Sequence, residues 1–267
     1  MEDLLYNSSN VKRVVSVGNI EIGGNKKVII SGSCTFGSYE EIKSIVTELK
    51  KCGIEIIRGG AFKSRTNPNS FQGLRDEGMK ILKRIKKEFS IKIIVEIMTI
   101  DHLKKYADDI DIIQIGSRNM YNYDLLEKVG RLDKPVLLKR GLSATYKEWL
   151  MSAEYILKGG NNNIILCERG IRTSSQEEIR NVLDIQAIPY IKNNFRFPII
   201  IDPSHASGKA YMVESMSKAA LIAGADGLII ESHIKPESSL CDAEQTINIS
   251  TLKNIVDFNE RMINNKN

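Results

Sequence analysis

The sequence predicts an α/β protein built as one (β/α)8 barrel of the TIM type, with a short N-terminal β-hairpin capping the barrel bottom. Two observations carry this. From residue 28 onward, short β-branched runs alternate with longer stretches of helical periodicity, the signature of repeated βα units and a parallel sheet. Eight such units can be counted, and each predicted strand is followed by a polar or charged group. A closed barrel places those groups together on the rim at the C-terminal ends of its strands, where active sites of this fold lie.

Taken in order, residues 11–30 read as two or three short strands. Val14, Val15 and Val17 lead into Gly18-Asn19, and Ile20 and Ile22 follow before the turn Gly23-Gly24-Asn25, a hairpin pattern. Barrel strands are expected near 28–31, 54–58, 91–97, 111–115, 135–139, 163–167, 198–201 and 227–230. Helices are expected over 39–51, 73–89, 145–157, 210–223 and 243–262. The first of these puts Ile42, Ile45, Val46 and Leu49 on one face, and the second does the same with Leu74, Met79, Leu82, Ile85 and Phe89. Asp101 and Asp124 stand near the starts of shorter helices, positioned to cap them. Asn161-Asn162-Asn163 is a turn. No linker, long charge run or repeat divides the chain, so the expected organisation is an extension with the hairpin over 1–26, a catalytic barrel over 27–267, and no separate regulatory domain.

Composition narrows the functional classes. With 267 residues and 42% hydrophobic content, the chain can build a large core. No apolar run reaches the roughly 18 residues of a membrane span, and the polar start with Glu2 and Asp3 is unlike a secretion signal. The four cysteines lack CxxC spacing, which points to a reducing cytoplasm rather than a disulfide framework. The net charge of +5 is not gathered into a stripe and aromatics are only 6%, which argues against nucleic-acid binding.

The densest group of chemistry is Arg58-Gly59-Gly60-Ala61-Phe62-Lys63-Ser64-Arg65-Thr66, directly after a predicted strand. Arginine offers a planar fork of donors suited to phosphate or carboxylate, and lysine a compact point charge. The two glycines permit a sharp turn or close approach of a ligand. Alone, this could be a solvated basic loop, but the theme recurs on later strands. Arg118, Lys139 and Arg169 join Arg58, Lys63 and Arg65 as rim cations. Cations crowded together need anions, and this number suits a substrate pair with two phosphates and a carboxylate. Arg140 is set aside as an equally good structural partner for a carboxylate. Polar rim groups also include Glu96 and Gln114. Cys34, His205, Glu231 and Asp242 form a mixed sulfur, nitrogen and oxygen set suited to a borderline divalent ion: manganese, iron, cobalt or zinc. A buried cysteine, a capping aspartate and a hydrogen-bonding histidine would be the structural alternative. Cys167 and Cys241 read as small core or loop residues.

These motifs resemble the small type I beta group of 3-deoxy-D-arabino-heptulosonate 7-phosphate (DAHP) synthases, relatives of 3-deoxy-manno-octulosonate 8-phosphate synthase. Besides 58–66, the matching segments are Ser70-Phe71-Gln72-Gly73, Gln114-Ile115-Gly116-Ser117-Arg118-Asn119 and Pro135-Val136-Leu137-Leu138-Lys139-Arg140-Gly141. They continue with 165–173, Asp202-Pro203-Ser204-His205 and Gly224-Ala225-Asp226-Gly227. The resemblance implies condensation of phosphoenolpyruvate with erythrose 4-phosphate and water, with release of phosphate, at the head of the shikimate route to aromatic amino acids. It implies that Arg118, Lys139 and Arg169 hold the phosphate of phosphoenolpyruvate and that Arg58 and Lys139 hold its carboxylate. Lys63 would lie between the substrates as a proton donor, and Arg65 and Thr66 would meet the aldose phosphate. Cys34, His205, Glu231 and Asp242 match the family's metal ligands, and Glu96 or a metal-bound water would activate the attacking water. A cytoplasmic homotetramer or homodimer is expected, without nucleic-acid or membrane partners.

Some positions depart from the family pattern. Ser33 stands where Gly-Pro-Cys usually has proline, and Ser64 replaces the proline of Lys-Pro-Arg-Thr. Retention of Arg65-Thr66 favours erythrose 4-phosphate, because the octulosonate enzymes resemble Lys-Ala-Asn-Arg-Ser at that place. Cys34 favours a metal-dependent member, since metal-independent octulosonate synthases carry asparagine there. Competing readings are octulosonate 8-phosphate synthesis from arabinose 5-phosphate, a Schiff-base aldolase using Lys139, and a catalytically silent barrel that senses metabolites.

Overall fold

The computed structural model describes residues 13–63, 67, 69–173 and 178–264. Two short strands, β1 (Val15–Val17) and β2 (Ile20–Ile22), pair antiparallel. Eight parallel strands then close a barrel, with the last joining the first. They are β3 (Val28–Gly32), β4 (Ile56–Arg58), β5 (Lys92–Glu96), β6 (Ile112–Ile115), β7 (Val136–Lys139), β8 (Ile164–Glu168), β9 (Ile199–Ile201) and β10 (Gly227–Glu231). Each overlaps its predicted segment and differs from it by at most two residues at either end.

The helices are α1 (Tyr39–Lys51), α2 (Arg75–Phe89), α3 (Ile100–Tyr106), α4 (Tyr123–Gly130) and α5 (Tyr146–Lys158), followed by α6 (Ala187–Asn194), α7 (Pro203–Ser207), α8 (Ala210–Ile222) and α9 (Ile249–Asn264). Their starts show the usual local chemistry. Ser38 caps α1 through Glu41 N, and Thr145 and Glu148 close a capping box on α5. Two sequence expectations shift here. Thr99 and Asn122, not Asp101 and Asp124, cap α3 and α4, and each aspartate sits two residues later in the first turn. The helix expected over 243–262 starts only at Ile249. Its predicted beginning is a 3-10 turn, Ala243–Gln245, followed by a segment tied to β10: Ile247 N donates to Glu231 O at 3.0 Å and His233 N to Ile247 O at 3.0 Å.

Alternation along the strands sorts the core into two layers. Ile57, Ile93, Ile113, Leu138, Leu166, Ile201 and Ile230 face outward and pack against the helices. Ile30, Ile56, Ile94, Ile112, Leu137, Ile165, Ile200 and Ile229 face inward. Val15, Val17, Ile20 and Ile22 of the hairpin join that inner cluster, so the hairpin plugs the barrel at the N-terminal end of its strands.

The same period of two positions the chemistry. Two residues beyond an inward apolar residue comes the next inward position, now at the mouth. Ile56 leads to Arg58, Ile94 to Glu96, Ile112 to Gln114, Leu137 to Lys139, Ile200 to Asp202 and Ile229 to Glu231.

Candidate active site

At the C-terminal mouth, Arg58, Lys63, Glu96, Gln114, Arg118, Lys139, Arg169, Arg180, His205 and Asp242 are among the residues around one cavity of about 310 Å³. Cys34 lies under this floor, buried beside Arg58 and Lys63. Gly60 allows that arrangement, though not by admitting a ligand: a Cβ there would lie 2.5 Å from Cys34 O, so the missing side chain lets the β3 and β4 loops meet.

The potential metal donors converge. His205, Glu231 and Asp242 offer ligand atoms within 4.8 Å of one another, as do Cys34, Cys241 and Asp242. Cys34 Sγ is 3.1 Å from Asp242 Oδ2, and His205 Nε2 is 3.3 Å from Glu231 Oε1. The Lys63 ammonium stands among them as a cation would, 2.5 Å from Cys34 Sγ and 2.9 Å from Asp242 Oδ2. Arg58 reaches Glu231 Oε1 at 2.7 Å from the other side. The two triads share Asp242, and their thiol, imidazole and carboxylate donors, already in contact with cations, suit a borderline divalent metal ion. His205 is also oriented from behind. Asp202 Oδ1 caps α7 at His205 N (3.0 Å), and Oδ2 lies 2.8 Å from His205 Nδ1 and 2.5 Å from Lys139 Nζ. A carboxylate behind a ligating imidazole is the usual supporting arrangement of such centres.

The electrostatics follow from burial working against opposite charges. Burial opposes the carboxylate of Asp242, but Lys63 and His205 outweigh it and its pKa falls far below the usual range. Burial opposes Glu231 in the same way, and His205, Arg58 and Lys63 bring it below normal. The Cys34 thiol is pushed well up, first by its hydrogen bond with Cys241, then by burial and by Glu231. A bound dication would reverse that, because a coordinated thiol is deprotonated. Burial lowers the His205 pKa despite Asp202 and Glu231.

Arg169 is the outstanding cation. It is 5% exposed, and among the described residues its guanidinium meets only Gly170 O, at 3.4 Å. Burial accordingly presses its pKa down. It shares the cavity wall with Lys139 and Arg118.

Arg140, Glu168 and His233 turn away. Glu168 and Arg140 pair at 3.0 Å on the outer side, where Arg140 also holds Asp184 at 2.7 Å, so Arg140 is the structural partner anticipated. His233 is buried against Glu41, at 3.1 Å. Cys167 lies in the inner apolar cluster. Glu96 meets Gln114 Nε2 at 3.2 Å and no cation among the described residues. Arg65 and Thr66 lie outside the described residues, as does Ser64.

Sequence reasoning missed Asp202 as a supporting group, and also Arg180, Gln245 and Cys241. Gln245 donates to Glu231 Oε2 and accepts from Arg180 at 2.6 Å. The Asp202-Pro203-Ser204-His205 motif, a capping residue followed by proline at the first helical position, was the available signal for Asp202. The other three come from loops without periodicity.

Residues 7–265 match the sequence profile of the DAHP synthetase I family. The chain belongs to the DAHP synthetase I family. Among curated relatives in and around this family, the phospho-2-dehydro-3-deoxyheptonate aldolase of Thermotoga maritima is 43% identical over 243 residues, which cover 91% of this chain and 72% of the relative. The crystal structure of that aldolase, a DAHP synthase, superimposes with a TM-score of 0.94 at 40% identity, covering 98% of this chain and 76% of the other. A truncated form of the Thermotoga maritima DAHP synthase gives 0.90 at 37% identity, with 98% and 96% coverage. The 2-dehydro-3-deoxyphosphooctonate aldolase of Geobacter sulfurreducens is more distant, at 29% identity over 90% of this chain and 94% of the relative. No helix among the described residues is long and apolar enough to cross a membrane.

Proposed function

We propose that this protein condenses phosphoenolpyruvate with erythrose 4-phosphate and water to give 3-deoxy-D-arabino-heptulosonate 7-phosphate and inorganic phosphate. The observation that carries the proposal is the buried guanidinium of Arg169, with no carboxylate hydrogen-bonded to it among the described residues, on the same wall as Lys139 and Arg118. A buried charge of this kind calls for an anion of fixed position. The synthase reading of the family, closer in identity than the octulosonate one, supplies that anion as the phosphate of phosphoenolpyruvate.

In this reading Arg118, Lys139 and Arg169 hold the phosphate, while Arg58 and Lys139 hold the carboxylate. Fixed cations stabilise charge as it develops without having to reorganise, and two anchored anions provide proximity. Lys63 carries its proton at Nζ between the substrates, and Arg65 and Thr66 meet the aldose phosphate. Glu96, on the wall and without a paired cation among the described residues, accepts the proton of the attacking water. Cys34, His205, Glu231 and Asp242 would hold a divalent metal ion, which when bound supplies Lewis-acid polarisation of the aldehyde. Manganese, iron, cobalt and zinc all suit this set. Lys139 is engaged by Asp202 at 2.5 Å, which favours anion binding over Schiff-base chemistry.

The deciding measurement is phosphate release from phosphoenolpyruvate with erythrose 4-phosphate and with arabinose 5-phosphate, each before and after chelation and metal add-back. Turnover with the tetrose, lost on chelation and restored by a divalent ion, is expected. A strong preference for the pentose would replace the proposed substrate, and full activity in chelator would remove the metal.

A further inference from the structure

Cys241 has no place in the metal set that the resemblance implies, and by sequence it reads as a packing residue. Its position says otherwise. It is buried, at 4% exposure, and its Sγ lies 3.4 Å from Asp242 Oδ2, the same oxygen that Cys34 Sγ approaches to 3.1 Å. Both sulfurs and a carboxylate oxygen of Asp242 lie within 4.8 Å of one another. The turn that presents them is built for it. Asp242 takes a left-handed backbone, φ 56 and ψ 33, tolerated by aspartate better than by most residues. Thr246 Oγ1 and Gln245 N tie its carbonyl at 2.9 and 3.2 Å.

These separations suit one ion. Two thiolates on a tetrahedral zinc ion, each about 2.3 Å from the metal, lie about 3.8 Å apart, and a thiolate and a carboxylate oxygen lie about 3.6 Å apart. The observed sulfur–oxygen distances, 3.1 and 3.4 Å, are within about half an ångström of that. Charge is also accommodated. Lys63 Nζ already sits against Cys34 and Asp242, and Arg58 against Glu231, so an extra thiolate enters a cationic surrounding.

We propose that Cys241 is a second thiol ligand of the metal centre, so that zinc is held tetrahedrally through Cys34, Cys241, the shared Asp242 and one donor of the His205–Glu231 pair, in preference to manganese. This rests on the reading of Cys34 as a metal ligand. A second soft donor favours zinc, whereas manganese favours oxygen donors.

The test is X-ray absorption of the full chain loaded with zinc under a non-thiol reductant, with competition dialysis between zinc and manganese. Wild type should show two sulfur scatterers near about 2.3 Å, and Cys241→Ser should show one. Loss of an outer-shell partner costs about 10–100-fold in affinity, so loss of this direct ligand should lower the zinc-to-manganese affinity ratio by on the order of 100-fold. A single sulfur in wild type, unchanged in Cys241→Ser, overturns the role of Cys241 and leaves Cys34 standing. No sulfur at all overturns both. The wild-type sulfur count decides the matter even if the variant folds poorly.

Discussion

Asp202→Asn removes one charge and almost no volume from a position that is 1% exposed. The carboxylate has three tasks: it caps α7, it holds Lys139 at 2.5 Å and it backs His205 at 2.8 Å. Asparagine keeps an acceptor for the cap but leaves the buried Lys139 ammonium without its counter-charge. Breaking a buried pair by removing one partner costs about 3–5 kcal/mol, and the retained acceptor puts the expected loss near the lower figure. For a chain of this size each kcal/mol moves the melting temperature by about 2–4 °C, so a drop of about 6–12 °C is expected. Metal affinity should fall by about 10–100-fold through the lost support of His205. The acid limb gives a second readout. Burial alone would raise the Asp202 pKa, but His205 and Lys139 hold it well below the usual carboxylate range. A depressed folded pKa means that this stabilisation is complete above about pH 4 and is lost as pH falls through the folded value. The stability gap between wild type and Asp202→Asn should therefore narrow as pH drops below about 4. Calorimetric melting from pH 3 to pH 7, with metal titration at neutral pH, measures both effects. A variant that melts within about 2 °C of wild type and binds metal equally well would refute the assigned tasks.

Further outcomes follow from the same geometry. Gly116→Ala places a Cβ 2.0 Å from Glu96 Oε1; steady-state kinetics should show kcat reduced roughly 100-fold or more, with KM for phosphoenolpyruvate near wild type, if Glu96 takes the water proton. Arg169→Ala removes a charged hydrogen bond worth about 1.5–3 kcal/mol, so KM for phosphoenolpyruvate should rise about 10–100-fold while melting is little changed. Arg140→Met should do the opposite, destabilising by about 3–5 kcal/mol in denaturant titration because Glu168 is left buried and unpaired, with no selective change in KM.

Much of this was legible in the residues because a strand has a strict period. Once Ile56, Ile94, Ile112, Leu137 and Ile229 are taken as inward, Arg58, Glu96, Gln114, Lys139 and Glu231 must face the mouth. The same parity turns Glu168 outward with Leu166, towards Arg140 and Asp184. Loops have no such rule. Cys241 and Gln245 reach the site through a turn whose path depends on a left-handed Asp242 and on hydrogen bonds back to β10, and Arg180 through a loop tied to Ser207 O at 3.2 Å; none of this leaves a pattern in the chain. The helix caps were off by two because an aspartate is favourable both at a cap and within the first turn. The delayed start of α9 has a similar origin: apolar spacing runs through 243–262, but pairing of Ile247 with β10 takes precedence over helix there.

The stopper at the base of the barrel sets an order of events. Its four apolar side chains leave the ribosome before any of the strands that will surround them. They have nowhere dry to go until β10 has closed against β3. Seating is thus a finishing step, and trimming Val15 or Ile22 should speed escape from the native state while hardly altering the climb towards it. The apolar face of the hairpin stays uncovered while the eight barrel strands are made, which makes β1 and β2 a segment in need of chaperone cover during synthesis.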